Sequence, residues 1–195
     1  MRKPVPAAAT ATRARKPRWP PSRWRSCWNS CRNPRIAGAD VSRQQHPHRK
    51  DGVDPVTRAR ARRRALQAVY AWQMSGGEVG QVIAQFAHEQ AHEIADLEYF
   101  EDLVRGVVRH RASLDEALLP FLDRTVEEVD PIERAVLRIA AYELIHRLDV
   151  PYRVVLNEAI ETAKRFGSEH GHTYINGVLD HAAIEWRPAE AQARR

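Results

Sequence analysis

After Thr57, apolar residues recur at three- and four-residue spacing along most of the chain, and no stretch alternates as a half-buried strand would. Ala61, Ala65, Ala68, Val69 and Trp72 form the stripe of a first helix, which Ser75-Gly76-Gly77 stops. A short helix runs through Val82, Ile83 and Phe86, and another begins after Asp96 and carries Leu97, Phe100, Leu103, Val104 and Val107. Ser113 followed by Glu116 reads as a capping box opening a helix through Leu118, Leu119 and Leu122. The sharpest start is Asp130-Pro131-Ile132-Glu133, an Asp cap with proline at the first helical position and Glu at the third. Its helix, through Val136, Leu137, Ile139, Ala140 and Leu144, is apolar around much of its circumference and is expected at the centre of the fold. Pro151 opens a helix with the stripe Val155, Ala159, Ala163 and Phe166, ended by Gly167. The last helix carries Ile175, Val178, Leu179, Ala182, Ala183 and Trp186. The expectation is an all-α fold of about seven helices.

Residues 1 to about 50 have no such pattern. They are rich in Pro, Arg, Ser and Ala, with Trp19, Trp24 and Trp28 at no regular period, and offer too little patterned apolar surface to offset the entropy of ordering them. The chain therefore reads as a disordered basic extension over 1–56, a helical domain over 57–187 and a disordered tail over 188–195. The first 39 residues contain no acid, a composition that also suits a transit peptide or a misassigned translation start, and a start near Val41 would leave the helical domain untouched.

Charge follows the same division. Residues 1–64 hold 18 Lys and Arg against Asp40, Asp51 and Asp54, a formal +15, whereas the remainder carries −9. A basic arm on an acidic body points to a nucleic-acid-binding arm and leaves the body to some other partner. No apolar run approaches the roughly 20 residues of a membrane span, and the only cysteines, Cys27 and Cys31, lie in the arm, so a reducing cytoplasm is the expected location.

Catalytic motifs fare poorly. His88-Glu89-Gln90-Ala91-His92 matches the H-E-x-x-H pattern in which two histidines one helical turn apart bind zinc and the Glu acts as general base. No residue downstream stands out as the third ligand that a catalytic site needs, so a zinc hydrolase is the minor alternative and histidines on a solvated face the better account. Cys27 and Cys31 with His46 and His48 could in principle be four zinc ligands, but they have no standard finger spacing, and the cysteines read as free thiols. Dinucleotide, P-loop and nucleophile-elbow signatures are absent, and Asp123, Glu127, Glu128 and Asp130 read as a solvated connection. The expectation is no enzyme activity, no cofactor and no metal. The informative cluster is Arg58, Arg60, Arg62, Arg63 and Arg64, which crowds the start of the first helix, where positive charge is disfavoured by ~0.3–1 kcal/mol per residue. Arginine forks pair with phosphate, so this start is expected to meet an anion. A helical protein-interaction module with an incidental basic tail is the remaining alternative.

Arg62-Arg63-Arg64-Ala65-Leu66-Gln67-Ala68-Val69-Tyr70-Ala71-Trp72-Gln73 resembles the opening helix of the NusB family. The resemblance continues in family order through Glu133 to Leu144, Asp149-Val150-Pro151-Tyr152, Asn157-Glu158-Ala159-Ile160-Glu161, Ala163-Lys164-Arg165-Phe166-Gly167 and Asn176-Gly177-Val178-Leu179-Asp180. It implies two small helical bundles packed into one domain, and a transcription antitermination factor. Such a factor binds boxA-type RNA together with NusE, a small-subunit ribosomal protein, and supports elongation complexes on ribosomal RNA operons. By position it implies that Arg58, Arg60, Arg62, Arg63 and Arg64 meet RNA phosphates, that Phe121, Phe166 and His170 fall along the RNA path, and that Tyr70 and Glu133 lie at the NusE surface. His170 stands where relatives carry an acid. A partner-binding face can also self-associate, which makes a homodimer a further expectation. A similar domain precedes a catalytic region in certain RNA cytosine methyltransferases, for which this chain leaves no room.

Overall fold

Short-range capping decides where the helices begin. In the computed structural model, which describes residues 54–90, 94 and 96–192, helix α1 (Pro55–Ser75) starts at a proline behind Asp54, whose carboxylate accepts the Val56 N–H at 3.0 Å. It stops at Gly76, which takes the left-handed conformation at φ 66° while its N–H donates to the Trp72 carbonyl. After α2 (Val79–Gln90), Asp96 caps α3 (Leu97–Arg109) through the Tyr99 N–H at 3.0 Å. Asp130 caps α5 (Pro131–His146) through the Ile132 N–H at 2.9 Å. Helices α6 (Tyr152–Phe166) and α7 (Gly171–Trp186) complete the C-terminal half. No strand occurs among the described residues, and none of their helices is long and apolar enough to cross a membrane.

Two local expectations need correction. Ser113 opens no helix: α4 (Arg111–Leu118) begins two residues earlier, and the Ser113 hydroxyl donates to the His110 carbonyl at 2.9 Å. His110 ends α3 and begins α4 at once, so the chain is already helical where a capping serine would need extended backbone. A 3-10 turn, Leu119–Phe121, follows α4. The tail expected to be disordered over 188–195 instead forms a short helix α8 (Pro188–Gln192), tied down by Glu190, so the described residues hold eight α-helices. The expectations made for residues 1–53, including Cys27, Cys31, His46 and His48, and for His92 and 193–195 lie outside the described residues.

Helix α5 is shared by two bundles, packing on α1, α3 and α4 on one side and on α6 and α7 on the other. Every residue from Ala135 to Leu144 is buried, which places this helix at the centre as its all-round apolar pattern implies. Phe100, Leu103, Val104 and Val107 of α3 fill the first bundle; Val155, Ala159, Ala163, Ile175 and Leu179 fill the second. Helices α3 and α5 approach closely at Gly106, where an added Cβ would lie 2.1 Å from the Tyr142 ring. Gly106→Ala is therefore expected to cost about 1–3 kcal/mol by overpacking, read as a lower midpoint in thermal or urea unfolding, and Tyr142→Leu in the same chain should recover part of it.

Candidate nucleic-acid interface

At about 100° per residue, the α1 arginines divide between two sides of the helix, with Arg58 and Arg62 on one and Arg60, Arg63 and Arg64 on the other. The first pair faces α3 and α5. Arg62 is only 5% exposed, and its Nε donates to both Glu143 carboxylate oxygens at 2.9 and 3.0 Å while Nη2 donates to the Tyr99 hydroxyl at 2.8 Å. The Tyr99 hydroxyl donates in turn to Glu143. Burial works against the Arg62 charge, but the Glu143 carboxylate outweighs it and holds the guanidinium above its ordinary pKa. Burial, with the Glu143 charge, pushes the Tyr99 phenol well up, so it stays protonated as a donor. This corrects the expectation that all five arginines present themselves to an anion: the Arg62 charge is matched inside the fold.

Arg58 lies at the edge of the same cluster. Its Nη1 donates to Asp149 at 3.1 Å, and Arg147 donates to the same carboxylate from Nε at 2.9 Å and Nη2 at 3.1 Å. Hydrogen bonding from Arg147, then the charges of Arg147 and Arg58, bring the Asp149 carboxyl down to about 2.

The other side of α1 is more open. Arg60 is exposed and Arg63 and Arg64 half-exposed, with Arg64 Nη1 donating to Gln67 at 2.8 Å. Arg63 of α1 and Glu158, Glu161, Thr162, Lys164 and Arg165 of α6 line a groove of about 270 Å³. Lys164 is paired with Glu161 at 2.7 Å, and the Arg165 guanidinium lies 5.8 Å from the Phe166 ring centroid. Phe166 itself is buried, so its ring backs Arg165 from within the bundle.

His170 is exposed at the cap position of α7 and makes no side-chain capping bond. Phe121 meets the edge of Trp186, the last residue of α7, at 5.6 Å. Sixteen residues, about 24 Å of helix, thus separate the attachment points of these two positions, and the structure does not bring them together. Tyr70 and Glu133 both lie toward the N-terminal end of α5. Tyr70 is half-buried, and burial with the Asp130 charge raises its hydroxyl pKa. Glu133 is buried and accepts the Ser168 hydroxyl at 2.5 Å, which ties α5 to the α6–α7 turn.

His88 and Glu89 occupy the exposed end of α2, where Glu89 accepts from Gln85 at 3.1 Å. Among the described residues no group of three or more His, Cys, Asp or Glu is placed to hold a metal ion. Periodicity and motif reading did not single out Tyr99, Glu143, Arg147 or Asp149. The last three fall inside or beside segments that carry the family resemblance, which is the one signal that could have drawn attention to them.

The NusB family profile matches residues 59–183. The transcription antitermination protein NusB of Xanthomonas axonopodis pv. citri is 77% identical over 145 residues, covering 74% of this chain and 91% of that protein. The protein of the same name from Xanthomonas oryzae pv. oryzae is 76% identical over 150 residues, covering 76% and 96%. Among solved structures, a crystal structure of the antitermination factors NusB and NusE in complex with double-stranded RNA superimposes with a TM-score of 0.62 at 25% identity, covering 67% of this chain and 98% of that one. Thermotoga maritima NusB superimposes with a TM-score of 0.59 at 27% identity, covering 69% and 96%. The chain belongs to the NusB family, whose members are transcription antitermination factors and not enzymes.

Proposed function

We propose that this protein binds boxA-type RNA together with the ribosomal protein NusE, as part of an elongation complex that transcribes ribosomal RNA operons in the cytoplasm. The observation that carries the reading is the division of the arginine cluster. It leaves Arg60, Arg63 and Arg64 on the side of α1 that continues into the groove with Lys164 and Arg165. The solved relative whose NusB is held with NusE and double-stranded RNA supports the same pair of partners.

In this reading Arg58, Arg60, Arg63 and Arg64 are the phosphate contacts, and His170 extends the RNA path beyond the α6–α7 turn. Phe166 supports Arg165 from below, Phe121 marks a separate stretch of surface, and Arg62 holds α1 in place. Tyr70 borders the NusE face, and Glu133 shapes it by holding the Ser168 hydroxyl where Gly171, lacking a side chain, leaves room for the carboxylate. Phosphate contacts give affinity without sequence preference, so boxA selectivity comes from unpaired bases.

The test is binding of boxA RNA and a scrambled control, with and without NusE, as salt is raised. NusE should strengthen boxA binding over the control. A variant with Arg60→Ala, Arg63→Ala and Arg64→Ala should bind more weakly, with its log K against log salt slope shallower by about 2 for the three lost contacts and its unfolding midpoint little changed. Equal binding of both RNAs in the presence of NusE would remove the boxA assignment.

A further inference from the structure

The first turns of α1 and the connection between α5 and α6 meet at a pair of arginines that share one carboxylate. Asp149 takes three N–H donors, one from Arg58 at 3.1 Å and two from Arg147 at 2.9 and 3.1 Å. Both guanidiniums flank the Tyr99 ring, at 4.8 Å for Arg58 and 4.9 Å for Arg147, and so are held in place from behind. The Asp149 side chain is 47% exposed against 23% for each arginine, so the carboxylate sits at the mouth and the cations behind it. The Arg58 Nε is buried and has no hydrogen-bond partner. Convergent N–H groups from two planar forks on the oxygens of one anion form an arrangement suited to phosphate.

We propose that Asp149 is an internal stand-in for phosphate, holding Arg58 and Arg147 together until a backbone phosphate of RNA displaces it. The inference rests on the RNA-binding reading above. The other charges packed around the pair stay where they are when Asp149 leaves. Asp102 accepts from Arg147 Nη1 at 2.6 Å and from the Tyr142 hydroxyl at 3.0 Å, and Glu143 remains bound to Arg62. Arg58 then has no carboxylate partner and Arg147 retains only one, which leaves a net positive site for the incoming oxygens. Asp149 belongs to the connection between α5 and α6, so its displacement breaks no helical hydrogen bond. The contact sets the strength of RNA binding: the carboxylate competes for the arginines and lowers the affinity that they would otherwise provide.

Asp149→Asn keeps the shape and removes the competing charge. Measured against single-stranded RNA over a salt series, it should bind about threefold tighter than the unaltered chain. The slope of log K against log salt should stay close to that of the unaltered chain, which makes the same phosphate contact once Asp149 has moved aside. Glu98→Gln, which removes an exposed carboxylate next to Tyr99 in sequence, is the charge-matched control and should give a smaller gain with no change of slope. Adding Arg58→Ala to Asp149→Asn should abolish the gain. Inorganic phosphate distinguishes a free anion from the RNA backbone: it should raise the unfolding midpoint of Asp149→Asn more than that of the unaltered chain if the site takes phosphate in isolation. No such difference alongside tighter RNA binding places the preference with the polymer.

In the unaltered chain, the Arg58 guanidinium NMR resonance should shift when RNA is added. An Asp149→Asn variant that binds RNA no better than Glu98→Gln, or an Arg58 resonance unmoved by saturating RNA, would overturn the inference. These readouts use any single-stranded RNA, so they stand apart from the boxA-against-scrambled comparison that tests the function itself.

Discussion

Arg62→Ala should lower stability by about 3–5 kcal/mol, a drop in unfolding midpoint on the order of 10–15 °C, whether or not RNA is present. The reason is the company that Arg62 keeps. It is 5% exposed and Glu143 1% exposed, so deleting the guanidinium strands a buried carboxylate and the Tyr99 hydroxyl in a site that water does not reach. Glu143→Ala should cost a similar amount for the converse reason. The combination Arg62→Met, Tyr99→Phe and Glu143→Leu removes all three polar groups together and should recover much of the loss, because the cost lies in the unpaired partner more than in the missing attraction. Urea unfolding of the three variants and the unaltered chain measures this. An Arg62→Ala protein as stable as the unaltered chain but weakened in RNA binding would return Arg62 to the phosphate contacts.

Arg187→Ala should destabilise by about 2–4 kcal/mol, at the same C-terminal end of the central helix that carries Glu143. Arg187 is 5% exposed and its guanidinium spans the C-terminus of α5. Nε donates to the Leu144 carbonyl at 2.6 Å, and Nη2 donates to the carbonyls of Glu143 and Arg147 at 3.1 and 3.0 Å. Helix ends leave carbonyls without intrahelical partners and carry partial negative charge, so a buried cation there satisfies both. Glu190 then pairs with Arg187 at 2.5 Å and accepts the Tyr152 N–H at 3.0 Å, which joins α8 to the start of α6. Arg187→Lys should fall between the unaltered chain and Arg187→Ala, since a single ammonium cannot span three carbonyls. Amide exchange at Tyr152 should accelerate in Arg187→Ala, and unchanged exchange there would mean that α8 holds without the arginine.

The helices could be read from the chain because their signals act over a few residues. Asp130-Pro131 and the Ser75-Gly76-Gly77 stop mark ends where the caps form, and the all-round apolar character of Val136 to Leu144 located the central helix. Two short-range readings failed for identifiable reasons. Ser113 had the right partner spacing for a cap, but the chain enters that position already helical. Pro188–Gln192 is too short to show a period, and its helix depends on the contacts of Glu190 with Arg187 and Tyr152.

The arginine cluster shows where local reading ends. Five arginines within seven residues announce an anion-binding segment, and the one finer signal is the stripe Ala61, Ala65 and Val69, beside which Arg58 and Arg62 fall at helical spacing. Helical geometry divides them, but how the inward charges are matched was decided by Tyr99 and Glu143, 37 and 81 residues from Arg62, and by Asp149, 91 residues from Arg58. Capping and periodicity belong to the chain because their partners are near in sequence. The destination of a charge belongs to the packed fold, because desolvation and pairing depend on which distant groups α5 brings against it.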